Sequence, residues 1–114
     1  MAPDLFAGIP VGDYRVARPW YELLLGGEPA FIPHETEAVW ELDQHRYLFI
    51  VERMENPGGA LVTIFVDDLD ARVAAIGARG IAPDERETYS SGVRKVIYRD
   101  IDGNEIGFAG PPEV

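Results

Sequence analysis

The side chains best equipped for chemistry in this 114-residue chain crowd into Tyr98–Gly110, YRDIDGNEIGFAG. Asp100, Asp102 and Glu105 bring carboxylates and Asn104 an amide oxygen, the hard donors that a divalent cation takes. Their spacing is not that of an EF-hand loop. Gly103 is fourth from Asp100 where that loop needs its glycine sixth, and the twelfth position falls on Pro111 where a bidentate Glu is required. Asp102-Gly103 signals a tight turn between two strand-like runs, with Asp side chains accepting from local N–H groups.

Other chemistries find little support. There is no cysteine, hence no thiol nucleophile, disulfide or thiolate metal site. His34 (PHET) and His45 (DQHRY) flank predicted strands and read as loop histidines; either acts as a general base only if it hangs over a cavity. Ser90-Ser91 lacks a nucleophile-elbow pattern, and GARG ends a helical stretch where a phosphate cradle would open one. The run Glu85–Glu87, ERE, reads as a solvated strand edge.

The elements that must position these groups follow from periodicity and turn signals. The length suits one domain, and 46% hydrophobic residues suit a packed core. The net charge of −10 argues against nucleic acid and favours a neutral or cationic ligand. The N-terminus lacks the pattern of a signal peptide, and no apolar run is long enough to span a bilayer, so a soluble, cytoplasmic protein is expected.

The two halves open alike, with LFAGIPVGDYRVARPWYELLLGG and ALVTIFVDDLDARVAAIGARG. Ile9, Val11 and Asp13 match Ile64, Val66 and Asp68 at an offset of 55. Each is a strand, an Asp helix cap, a helical pattern and a terminating glycine. Pro19 predicts a kink in the first helix or a start nearer Trp20. Strands are predicted at 30–32, 36–42 and 47–53, then at 81–86, 93–99 and 105–109, with NPGG at Asn56–Gly59 as the boundary. Each half reads β-α-β-β-β, giving an α+β single domain with modules at about 1–56 and 60–114 and mainly antiparallel sheet.

This order of motifs resembles the vicinal oxygen chelate superfamily, the glyoxalase, bleomycin-resistance and extradiol-dioxygenase proteins. IPVGDYRVARPWYELLLGG, TIFVDDLDARVAAIGARG and YRDIDGNEIGF carry the likeness, with Ile101 where the family's hairpin usually has Pro. The resemblance implies paired βαβββ modules around a cup, and in the family's enzymes a divalent metal held by up to four His, Glu or Gln side chains. Carried over by position, those four places are Phe6, Glu52, Leu61 and Gly107. Glu52 alone can ligate, and an ion needs three or more such donors, so no metal and no cofactor is expected.

Strand alternation then gives the cup its character. Phe6, Gly8 and Pro10 are expected on its face from the first strand, and Leu61, Thr63 and Phe65 from the fifth. Leu48 and Ile50 are expected beside Glu52 on the fourth strand, with Trp40 and Tyr98 as further candidates whose facing stays open. An apolar concavity with one acid at its edge is a small-molecule site. The resemblance implies a metal-free binding protein for a small hydrophobic or cationic compound, of the bleomycin-resistance type and dimeric. Its alternatives are a glyoxalase-like lyase or isomerase using Glu52 as base, and a non-catalytic accessory domain with a filled cup.

Overall fold

The computed structural model describes residues 3–113. Among them the chain runs β1 (Leu5–Val11), α1 (Tyr14–Leu25), β2 (Phe31–His34), β3 (Glu37–Asp43), β4 (Arg46–Glu52), β5 (Leu61–Phe65), α2 (Leu69–Ala78), β6 (Glu85–Thr88), β7 (Arg94–Arg99) and β8 (Glu105–Gly110). Two four-stranded sheets result, ordered β1-β4-β3-β2 and β5-β8-β7-β6. In each, the first strand pairs parallel with the last and the remaining pairs are antiparallel. This is the expected α+β architecture of two βαβββ modules. No helix among the described residues is long and apolar enough to cross a membrane.

Local chemistry sets the element ends. Asp13 lies in extended backbone and its carboxylate accepts the Arg15 N–H at 3.0 Å, capping α1. Gly26 closes that helix in the left-handed region at φ 87°, its N–H returning to the Glu22 carbonyl. Pro19 neither delays nor ends α1, which starts at Tyr14 and runs through it. The strand expected at 81–86 begins later, at Glu85. Pro83 has no N–H for a ladder, and Ile81 turns into the core, where it is 8% exposed.

One face of each sheet packs on the helices. Ile9, Val11, Leu48, Ile50, Ala38 and Trp40 do so from the first module, and Val66, Val96, Tyr98, Ile106 and Phe108 from the second, in one continuous core. Tyr14, Ala17, Tyr21 and Leu24 are the buried stripe of α1.

The β7–β8 turn, which looked most like a metal loop, joins the two modules. Asp100 is 7% exposed. Its carboxylate accepts the Tyr21 hydroxyl at 2.7 Å, the Asn104 amide at 2.8 Å, and the N–H groups of Asp102 and Asn104 at 2.9 and 3.0 Å. The fully buried Asn104 also donates to the Pro10 carbonyl at 2.8 Å and accepts from the Ala60 N–H at 2.9 Å. Asp102 accepts the Gly12 N–H at 3.0 Å. Gly58 passes so close that a Cβ there would run into the Asp102 carbonyl, and it sits at φ 85°.

Asp100→Ala strips four donors of their acceptor at once and is expected to lower stability by about 3 kcal/mol, read from urea denaturation. Tyr21→Phe is expected to cost about 1.5 kcal/mol near neutral pH. Burial first, then the bond to Asp100, holds the Tyr21 phenol far above its ordinary value of 10.0. The folded state therefore keeps that proton more tightly than the unfolded chain. The contribution is whole below the unfolded value and is lost as pH rises beyond it, so Tyr21→Phe flattens the alkaline fall in stability.

Candidate functional site

The face of each sheet turned away from the helices is open, and strand register decides which side chains it carries. In the first sheet Phe6, Gly8 and Pro10 pair with Tyr47, Phe49 and Val51. Those partners, not Leu48 and Ile50, share the open face. Leu48 and Ile50 pair with Ala7 and Ile9 and are wholly buried under α1, which corrects their expected place in the cup.

Trp40 and Tyr98 are corrected in the same way. Trp40 pairs with Leu48 on the buried face, 4% exposed, and donates its indole N–H to the Gly27 carbonyl at 2.9 Å. Tyr98 pairs with Ile106, is fully buried, and meets Phe108 edge-on with ring centres 6.0 Å apart.

Glu52 shares the parity of Ile50, so its side chain also leaves the open face. Its Oε1 accepts the Tyr14 N–H at 3.0 Å, placing the carboxylate at the positive end of α1. The expectation of Glu52 at a ligand place rested on the offset of 55. Gly8 pairs with Phe49 and Thr63 with Gly107, so the register counterpart of Gly107 is Phe49. The places named by the family resemblance become Phe6, Phe49, Leu61 and Gly107, and none of these side chains can ligate an ion. Among the described residues no group of three or more His, Cys, Asp or Glu is gathered to hold one. The donor set does not fit the metal centre that the resemblance implies.

What the first open face carries instead is aromatic. Phe6 and Tyr47 stack with centres 4.4 Å apart and planes 10° from parallel, and Phe31 meets Tyr47 edge-on at 6.4 Å. Phe49 lies over Gly8, where a Cβ would fall 2.5 Å from its ring. Phe6 and Phe31 remain 45% and 46% exposed. The Tyr47 hydroxyl donates to Glu41 at 3.3 Å. Desolvation first, then the charges of Glu41 and Asp4, lifts its phenol pKa. Tyr47, Phe49 and Phe31 were missed by sequence reasoning, although the parity of Phe6 would have found the first two once the β1–β4 pairing was known.

The second open face carries Leu61, Thr63 and Phe65 beside Glu105, Gly107 and Ala109, then Lys95, Ile97 and Arg99, then Glu85 and Glu87. Arg99 bridges Glu85 at 2.6 Å and Glu105 at 2.9 Å. Each of the two histidines is paired with a carboxylate at the border of the first face. His34 pairs with Glu37 at 2.9 Å, and His45, at a turn with φ 66°, pairs with Asp4 at 2.6 Å. A separate cleft of about 280 Å³ lies between the modules, floored by Leu24, Trp40, Ile64 and Phe108.

No family model matches the chain. Nor does any curated protein match it. Solved structures do. The chain is similar to a glyoxalase/bleomycin resistance protein from Catenulispora acidiphila DSM 44928, with 52% identity over 97% of this chain and 100% of that one and a TM-score of 0.93. A bleomycin-binding protein complexed with bleomycin superposes with a TM-score of 0.77 at 15% identity, over 96% of this chain and 98% of that one. A lactoylglutathione lyase from Agrobacterium tumefaciens does so with 0.77 at 16% identity, over 96% and 94%. The last two share the fold alone, and since one is a binding protein and the other a lyase, the fold does not choose between them.

Removing the carboxylate by Glu52→Ala is expected to cost about 1 kcal/mol of stability through the N-terminus of α1. Bound transition metal, read by plasma mass spectrometry after incubation and desalting, is expected to be the same in this variant and the parent.

Proposed function

The chain belongs to the glyoxalase/bleomycin resistance family, and from that membership we propose that it is a small-molecule-binding protein that takes a flat, largely apolar ligand on the open sheet faces without a metal ion. The observation that carries this reading is the exposed Phe6–Tyr47 stack with Phe31 at its edge, in which Phe6 itself stands where the resembled enzymes need an oxygen or nitrogen donor. Ring faces offer large contact area at small entropic cost, and such walls with a few polar groups suit ligand capture. Glu41 and Glu37 border the rings on β3, where Tyr47 and His34 engage them. Leu61, Thr63, Phe65 and Gly107 form the matching part of the second face.

The lyase or isomerase alternative draws nothing from this arrangement, since Glu52 is engaged with Tyr14 on the far side of the sheet. A homodimer fits the surface better than a monomer does. Leu61 and Phe65 are 78% and 61% exposed on the second open face, and β1 and β5 are both edge strands. A second copy would cover such apolar surface and complete the walls of each site. Sequestration, not turnover, is then the activity, in a protein we place in the cytoplasm.

Titration calorimetry with planar aromatic probes tests the reading. Phe6→Ala and Tyr47→Ala are each expected to weaken binding about tenfold, a loss typical of removing one stacking ring. Unchanged affinity in both would sink the assignment to this face. Sedimentation velocity is expected to give a dimer at micromolar concentration.

A further inference from the structure

Lys95 is the only lysine in a chain with nine arginines. It stands in the middle of the second open face, on β7, paired in register with Ala109 on one side and Glu87 on the other. Its side chain crosses Gly107: a Cβ on that glycine would lie 2.6 Å from the Lys95 Cε and 3.6 Å from its Nζ. Any larger residue at position 107 would lift the chain off the sheet. The ammonium is thereby laid into a small hollow of about 90 Å³ lined by Leu61, Thr63, Ile97 and Glu105.

The acids around it do not pair with it. Arg99 holds both Glu85 and Glu105, and Glu87, the register neighbour of Lys95, forms no ion pair with it. Among the described residues no carboxylate lies within 4.0 Å of the Lys95 ammonium. A cation laid beside Ile97 and Leu61, with no carboxylate in pairing distance, is open to an anionic partner that enters the hollow.

We infer that Lys95, laid across Gly107, is the recognition residue for a carboxylate on the ligand, so that the ligand class is aromatic monocarboxylic acids. This rests on the ligand-binding reading above and adds its polarity. The acid enters the hollow, and the ring it bears lies on the apolar open faces of the reading above. A dianion such as a phosphate is a poorer match, because one lysine faces it while Glu105 borders the same hollow.

The test uses the intact chain with 1-naphthoate and its uncharged analogue 1-naphthalenemethanol. Calorimetry gives both affinities, and peptide mass spectrometry gives the rate at which an acetyl N-hydroxysuccinimide ester modifies Lys95. Naphthoate is expected to bind about tenfold more tightly than the alcohol, the worth of one charged hydrogen bond. It is also expected to slow Lys95 acetylation, and Lys95→Met is expected to abolish the preference while still binding the alcohol. Lys95→Arg, which keeps the charge, should retain part of it. Equal affinities in the parent, a preference that survives in Lys95→Met, or acetylation unaffected by saturating naphthoate each overturns the inference. Alcohol binding that Phe6→Ala weakens would, in those cases, leave the aromatic site standing. Protection of Lys95 by naphthoate without any effect of Phe6→Ala or Tyr47→Ala would do the reverse, supporting the lysine and removing the aromatic wall. If neither probe binds and Lys95 is unprotected, both readings fall.

Discussion

The buried carboxylate of Asp100 is the constraint on which the rest of this structure depends. A charge that is 7% exposed is tolerable only with its oxygens fully engaged, and four donors engage them. Two of those donors come from the turn itself, which fixes its shape. A third is the hydroxyl of Tyr21, on the helix of the other module. The fourth, Asn104, carries the link onward to the Pro10 carbonyl. Satisfying one acid thus fixes the β7–β8 turn, the β1–α1 junction and the relation between the two modules. The orientation of both open faces follows from it.

Much of this was legible in the residues. The repeat at an offset of 55 found both strand–helix starts, because α1 begins at Tyr14 and α2 at Leu69, each one residue after its Asp, although only Asp13 makes a capping bond and the paired elements differ in length. The offset then drifts. Pro10 pairs with Val51 and its repeat partner Phe65 with Ala109, so the separation of 55 between Pro10 and Phe65 has become 58 between Val51 and Ala109. The change is odd, and in a strand an odd shift exchanges the two faces. That is why Glu52, Leu48 and Ile50 were assigned to the open side and belong to the helix side. Trp40 and Tyr98 could not be assigned either way, since a lone aromatic in a strand of mixed pattern carries no parity of its own.

The two open faces differ in chemistry although they descend from one repeat. The first carries stacked rings bordered by Glu37 and Glu41. The second carries Leu61, Thr63 and Phe65 near Lys95, and an Arg99 that bridges two acids. In each, a glycine in a strand makes room for a neighbour's side chain to lie flat: Gly8 under Phe49, and Gly107 under Lys95. A ring fills one such place and a cation the other.

The docked turn also bears on how the chain can be divided. Its bonds span 79, 90 and 94 residues of sequence. Such distant pairings form late in folding, after the loop that joins them has closed. The stretch from Arg53 to Ala60 acts as a short tether that keeps the second module at high effective concentration next to the first. Cut in that tether, the same hydrogen bonds would have to be made between two separate molecules, and the module pair would become a complex whose integrity depends on how much protein is present.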